Sequence, residues 1–396
     1  MSVGTAFHSR TEPLNRKMVW REWSGFFAAG TYADAPDIEY NAIREAAALI
    51  DVSPLFKYEV TGPDAERLID RVITRDATTL MVNQVYYTPW CDEGGKVIDD
   101  GTVTRLDEHR YRWTAADPSL RWFRMNANGL DVRVDETTEA TVAVALQGPR
   151  SRDVLEAATG ESLTDLRYFR HRPTRIGKAA VDVTRTGYTG DLGFELWMDA
   201  SKAVAVWDAL MKAGRAHGIR PAGILALDVA RIEAGLILIE ADYTSARHAV
   251  IADQAYSPFE IGLGRMVTFD KAEFVGKRAL VQERANGGPP RKLVGLELAW
   301  AGIEAMFASQ GLTPSVSPIA SREPVPVYAD RKQVGRITSS TWSPTLKQMI
   351  ALASVGASFA KPGTELWAEW TVEAHRGKVA ATVVELPFLN PPRKRA

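Results

Sequence analysis

VTGPDAERLIDRV, residues 60–72, returns in altered form at residues 146–158 as LQGPRSRDVLEAA. Each copy reads as the end of a strand, a Gly-Pro step and an amphipathic helix. Proline suits a first helical turn, where its missing N–H would have no partner. Leu68, Ile69 and Val72 in one copy, and Val154, Leu155 and Ala158 in the other, fall at i, i+1 and i+4, giving each helix one apolar face. The copies lie 86 residues apart, too far for a solenoid. The pattern predicts two related α+β subdomains, with two independent strand–helix junctions as the plainer alternative.

Working outward, residues 85–91, 96–106 and 111–115 read as strands between the copies. Asp-Glu-Gly-Gly at 92–95 is a hairpin turn, because glycine supplies the positive φ that such a turn needs. Asp99 and Asp100 therefore sit on the return strand, directly after Val97 and Ile98. Aspartate is poorly suited to strands, and strict alternation sends one of the pair to the face of Ile98. After the second copy come a strand pair around 179–196, a helix near 202–217 and another near 222–236. Leu225, Val229, Ile232 and Leu236 mark the buried face of that last helix. ANGGPPRK at 285–292 reads as a linker, and the alternating runs beyond it predict a separate all-β domain, a small barrel.

A chain of 396 residues exceeds one ordinary core, and its 45% hydrophobic and 24% charged residues are those of a soluble globular protein. A net charge of −1 gives no support to a nucleic-acid-binding surface, and the basic PPRKRA end reads as a frayed, solvated tail. The single cysteine, Cys91, excludes an internal disulfide, and no Cys/His set has zinc spacing. No apolar run is long enough for a membrane span, and the first residues lack the apolar core of a signal peptide. The expectation is a cytoplasmic protein without metal, nucleic-acid or membrane partner.

Phosphate-binding glycine loops and the G-x-S-x-G nucleophile motif are absent from the sequence. What remains is a set of carboxylates and aromatics in strand or turn contexts: Tyr87, Asp100, Tyr168, Tyr188 and Glu195. Such a set suits a flat, amide-like heterocycle. A carboxylate accepts two parallel N–H bonds from a cyclic guanidine edge, aromatic faces hold the ring, and a second carboxylate can steer a reacting nitrogen.

RTGYTGDLGFEL, PAGILALDVARIEAG, SPFEIGLG, FVGKRAL and ITSSTWSPTLKQMIALA resemble, in order, motifs of the glycine-cleavage T-protein (aminomethyltransferase) family, and the resemblance runs from about residue 40 to 388. It implies an α+β fold of three domains around a central channel for tetrahydrofolate. Residues 1–55 with 140–255 would form the first domain, 56–139 with 256–284 the second, and 291–396 the C-terminal β-barrel. By the same resemblance Asp100 is the catalytic carboxylate beside the reactive pterin nitrogen, and Glu195 grips the pterin amino edge. Tyr87, Tyr188 and, by a looser match, Tyr168 pack on the folate.

Three segments depart from the T-protein pattern. D-V-S-H-M reads Asp51-Val52-Ser53-Pro54-Leu55, G-A-R-D reads Leu225-Ala226-Leu227-Asp228, and V-N-A falls in Trp113-Thr114-Ala115-Ala116-Asp117. An imidazole and a guanidinium are thereby lost. The hairpin is more similar to the branch holding the dimethylsulfoniopropionate demethylase, which moves a methyl group to tetrahydrofolate without redox change. The resemblance thus implies a tetrahydrofolate-dependent demethylase acting on a small N-, S- or O-methylated substrate. The alternatives are an aminomethyltransferase served by a lipoyl carrier protein, and a non-enzymatic folate-binding protein. Residues 237–250 line the substrate end or form a surface loop, with Arg247 and His248 their polar members.

Overall fold

Residues 2–395 are described by a computed structural model. A six-stranded sheet runs in the order His171–Ile176, Ala179–Thr184, Gly193–Asp199, Thr141–Gln147, Ala47–Asp51 and Ile219–Pro221, antiparallel except for the last pair. Its side chains alternate as a pleat requires. Leu49, Val144, Leu146 and Leu196 meet Val154, Leu155, Val206 and Leu210 of the helices Ser151–Thr159 and Ala203–Ala213. Ala48, Ile50, Ala143 and Ala145 pack instead with Ile43, Ala226 and Ala230, from the helices Pro36–Glu45 and Ile224–Glu233.

A second, fully antiparallel sheet runs Gln84–Cys91, Val97–Asp107, Arg110–Ala115, Phe56–Thr61 and Arg133–Glu136. Its core joins Trp90, Val103 and Trp113 to Leu68, Ile69 and Phe123 on the helices Ala65–Val72 and Leu120–Asn126. The C-terminal strands Arg291–Leu298, Gln348–Gly356, Lys332–Ser343, Val325–Ala329, Glu365–Val372 and His375–Val384 close into a six-stranded barrel. The fold is α+β, with two strand–helix units preceding a barrel.

The repeat is preserved in backbone as well as in sequence. Gly62 and Gly148 take φ of +127° and +117°. A Cβ there would stand 2.6 Å from the Asp131 carbonyl oxygen in one copy and 2.7 Å from that of Ala46 in the other. Glycine is thus required twice for the same close approach. The prolines are placed differently from expectation. Pro63 and Pro149 precede the helix caps Asp64 and Arg150, outside the first helical turn, because the glycine turn must redirect the chain before helical bonding begins.

The C-terminal tail is not frayed over its described part. Pro392–Lys394 forms a helical turn, and Arg393 donates to both oxygens of Asp191, at 2.7 and 2.9 Å, and to the Arg44 carbonyl at 3.0 Å. Asp191 is buried, and its charge needs the cations of both Arg44 and Arg393, which docks the tail. Among the described residues no helix is long and apolar enough to cross a membrane, and no group of His, Cys, Asp or Glu could hold a metal ion.

Candidate active site

A β-bulge precedes the two aspartates of the hairpin. Trp90 pairs with Asp99 and Cys91 with Val97, leaving Ile98 outside the ladder. The extra residue re-aims the side chains beyond it. Ile98 and Asp99 consequently share the Trp90 face, over the core of the second sheet, while Asp100 stays on the face of Tyr87 and Val97. Strict alternation would have placed Asp100, not Asp99, beside Ile98.

Their surroundings diverge accordingly. Asp99 is fully buried and accepts backbone N–H bonds from Asp100 at 2.7 Å and from Ala116 and Asp117 at 2.9 Å each. It pins the turn containing the departure Ala116-Asp117. Burial, then the charge of Asp100, push its carboxyl well above the ordinary range against those amide donors. Asp100 is half-buried and has no cationic partner among the described residues. Each of its oxygens takes a phenol instead: Tyr243 donates to Oδ1 and Tyr87 to Oδ2, both at 2.5 Å. Burial raises the Asp100 carboxyl, and these two hydrogen bonds oppose the rise. Burial and the Asp100 charge push both phenols well above their ordinary value, so they remain donors at neutral pH.

Tyr243 was not singled out by sequence reasoning. It lies in the segment after the helix Ile224–Glu233, where no periodicity marks it, within the 237–250 stretch whose polar members read from sequence are Arg247 and His248. Arg247 and His248, which did draw notice there, are exposed. Arg247 donates to the Pro118 carbonyl at 2.6 Å, and His248 lies 3.3 Å from Asp117 and 3.0 Å from Glu240. They tie the loop to the turn that Asp99 also holds.

Of the other sequence-derived residues, Tyr188 approaches the Asp100 group and Glu195 and Tyr168 form a second group. Tyr188 donates to the Ile237 carbonyl, and burial raises its phenol further than the nearby Arg231 lowers it. Glu195, on the strand Gly193–Asp199, accepts from Thr186 at 2.5 Å and forms no ion pair among the described residues. Burial raises its carboxyl, opposed by that one hydroxyl. The phenol of Tyr168 is raised by burial, with Arg395 and Arg185 opposing and Glu195 adding to the rise. Its ring stands against Phe169, with the Lys394 ammonium 5.9 Å from the centroid. Tyr87, Asp100, Tyr188 and Glu195 all bear a desolvation cost yet keep accessible surface.

Tyr188 also packs into an apolar cluster. Leu227 and, beside Pro54, Leu55 belong to one packed cluster with Tyr188 and Trp23. Two of the three segments that depart from the T-protein pattern thus contribute hydrocarbon to the same cluster.

Comparison with known proteins places this architecture in a family. A model described as the GCVT N-terminal domain matches residues 10–271, and one described as the glycine cleavage T-protein C-terminal barrel domain matches residues 309–390. The chain belongs to the glycine cleavage T-protein family. It is 36% identical over 409 residues to the trimethylamine-oxide aldolase of Ruegeria pomeroyi, aligning across 100% of its own length but only 48% of that protein. It spans about half of that relative. Aminomethyltransferases from Moorella thermoacetica, 36% identical over 96% of this chain and 95% of theirs, and from Halothermothrix orenii, 34% over 89% and 90%, are similar in extent. The solved aminomethyltransferase T of Bartonella henselae superposes with a TM-score of 0.83 over 98% of this chain and 99% of its own, at 24% identity, and so shares the fold.

Proposed function

We propose that the chain is a tetrahydrofolate-dependent transferase that takes a one-carbon unit from a small N-, S- or O-methylated donor. The observation that carries this reading is Asp100: a half-buried carboxylate without a cation, fixed by one phenol on each oxygen. Tetrahydrofolate supplies the nucleophilic ring nitrogen. The residues fit it: Glu195 is a second partly buried carboxylate with spare acceptor capacity for paired N–H groups, and Tyr87 and Tyr188 offer aromatic surface near Asp100. The two phenols favour the ionised form against the burial that raises the carboxyl, and in that form Asp100 would stabilise positive charge developing at a neighbouring nitrogen and take its proton at a carboxylate oxygen. Tyr168, beside Glu195 and the C-terminal tail, would pack on the folate from that side. The domain division read from sequence, 1–55 with 140–255, 56–139 with 256–284, and 291–396, is proposed with it. The strands of the two sheets and the barrel fall into those three parts.

The apolar cluster of Leu55, Leu227 and Trp23 favours a small methylated donor over an acidic one. Cationic methylated amines or sulfoniums leave as neutral molecules and can be held by aromatic faces. The similarity to a trimethylamine-oxide aldolase supports a methylated-nitrogen donor. A second reading, aminomethyl transfer from a lipoyl carrier protein, is favoured by relatives of nearly equal length named aminomethyltransferase. Mass spectrometry of the folate product separates the two, after incubation with sulfonium, betaine, N-methylglycine, amine N-oxide and methoxy-aromatic donors and with the aminomethyl-lipoyl substrate. A folate carrying carbon from a methylated donor is the expected result. Product from the lipoyl substrate alone would overturn the first reading for the second, and no product from any would sink both.

A further inference from the structure

Asp242 immediately precedes Tyr243 and is fully buried. Its Oδ2 accepts from Arg231 Nη1 at 2.5 Å and from the Leu238 amide at 2.9 Å. Its Oδ1 accepts from the hydroxyls of Thr338 at 2.6 Å and Ser339 at 2.7 Å. Those hydroxyls come from the barrel strand Lys332–Ser343. Consecutive strand residues normally face opposite ways. Here the register shifts between Ile337 and Ser339 and leaves Thr338 unpaired, so both hydroxyls reach one oxygen. Arg231, buried as well, also donates to Asp228 at 2.9 Å and Ser339 at 2.8 Å, closing the network.

We propose that Asp242 is a positioning residue: clamped by Arg231 and the bulged barrel hydroxyls, it fixes the adjoining Tyr243 phenol on Asp100. The barrel thereby takes part in a site to which it contributes no side chain directly. The inference rests on the proposed role of Asp100 only for its catalytic meaning; the mechanical coupling stands independently. Charged and titratable groups around Asp100 are Asp99 on its own strand, Tyr87 on the neighbouring strand, Tyr188 near the first sheet, and Asp242 and Tyr243 on the loop. Weakening the loop anchor removes one of the two donors that oppose the effect of burial on Asp100, leaving Tyr87 alone.

The test reads Asp100 by carbon NMR of carboxyl-labelled aspartate, with its signal assigned by loss in Asp100→Asn. Tyr243→Phe keeps the ring and deletes the hydroxyl. Its expected effect is an upward shift of the Asp100 midpoint by about one unit, the size of one hydrogen bond to a charge. Thr338→Val and Ser339→Ala, singly and together, should shift it in the same direction, while Thr341→Val, a barrel hydroxyl bonded to the Trp342 carbonyl instead, should not. Barrel variants that lower thermal stability but leave the Asp100 midpoint in place would overturn the inference, as would a Tyr243→Phe without effect. The signal needs no turnover. A shift without any folate product in the parent protein would therefore sink the proposed function and leave this coupling standing.

Discussion

Glu195→Gln separates a folate-gripping carboxylate from a structural one. Glu195 has a single hydroxyl partner, Thr186 at 2.5 Å, and its burial is offset by no cation among the described residues. Glutamine keeps the shape and can still accept from Thr186. It replaces one acceptor oxygen with an NH2 that confronts the donors of a bound amide edge. Losing a hydrogen bond to a charge costs about 1.5–3 kcal/mol, which is roughly 10- to 150-fold in affinity. The unliganded protein should respond in the opposite direction. The folded carboxyl is raised above the unfolded value of about 4.3. The native state therefore holds its proton more tightly, and the group's contribution to stability is lost as pH rises through the folded value. At neutral pH the variant should unfold no earlier than the parent, and its stability should fall less with rising pH above about 4.3. Titration of tetrahydrofolate by fluorescence quenching, with thermal melts at pH 5 and 7.5, measures both. Unchanged affinity, or a variant that is simply less stable, would refute the assignment.

Asp100→Asn faces a phenol donor with an amide donor, so turnover should fall by about two to four orders of magnitude with the fold retained; kinetics alongside circular dichroism check this. Lys57 is fully buried, donates to the Leu55 carbonyl at 2.7 Å, and has its ammonium pushed down to about 7 by burial. The unfolded lysine titrates near 10.4, so the fold binds fewer protons between the two values and stability should rise with pH across that window. Urea unfolding of Lys57→Met against the parent at pH 7 and pH 9.5 should give a difference that changes by about 2–3 kcal/mol; a pH-independent difference would refute it. Arg393→Ala leaves Asp191 with Arg44 alone and should free the tail, read as early cleavage near residues 391–395 in limited proteolysis with a loss of about 1–3 kcal/mol.

The sequence announced the elements that bury apolar faces. The two Gly-Pro repeats, the hairpin strands and the barrel strands follow periodicities that burial imposes, and each appears close to its expected residues. What escaped were features set by contacts between distant segments. No local pattern says that Arg393 will find Asp191, some 200 residues away, so a basic tail reads as solvated. Tyr243 escaped similarly, since its contact with Asp100 is made from a loop to a distant strand. The bulge at Ile98 was hidden because alternation assumes an unbroken ladder, and aspartates beyond a slip look the same in sequence as aspartates in regular register. The roles proposed for Asp100, Glu195, Tyr87, Tyr188 and Tyr168 rest on ordered motifs; as isolated residue types they are ambiguous.

The slip at Ile98 means that the spacing between the hairpin turn and the aspartates is information in its own right. If Ile98 took a regular place in the ladder opposite Trp90, Asp99 would face Tyr87 and Asp100 would enter the core. Composition, charge and hydropathy would be identical in the two registers, yet the carboxylate under the phenols would be a different one. A hairpin transplanted onto another scaffold must therefore carry its irregularity with it, or the right residues will arrive on the wrong side.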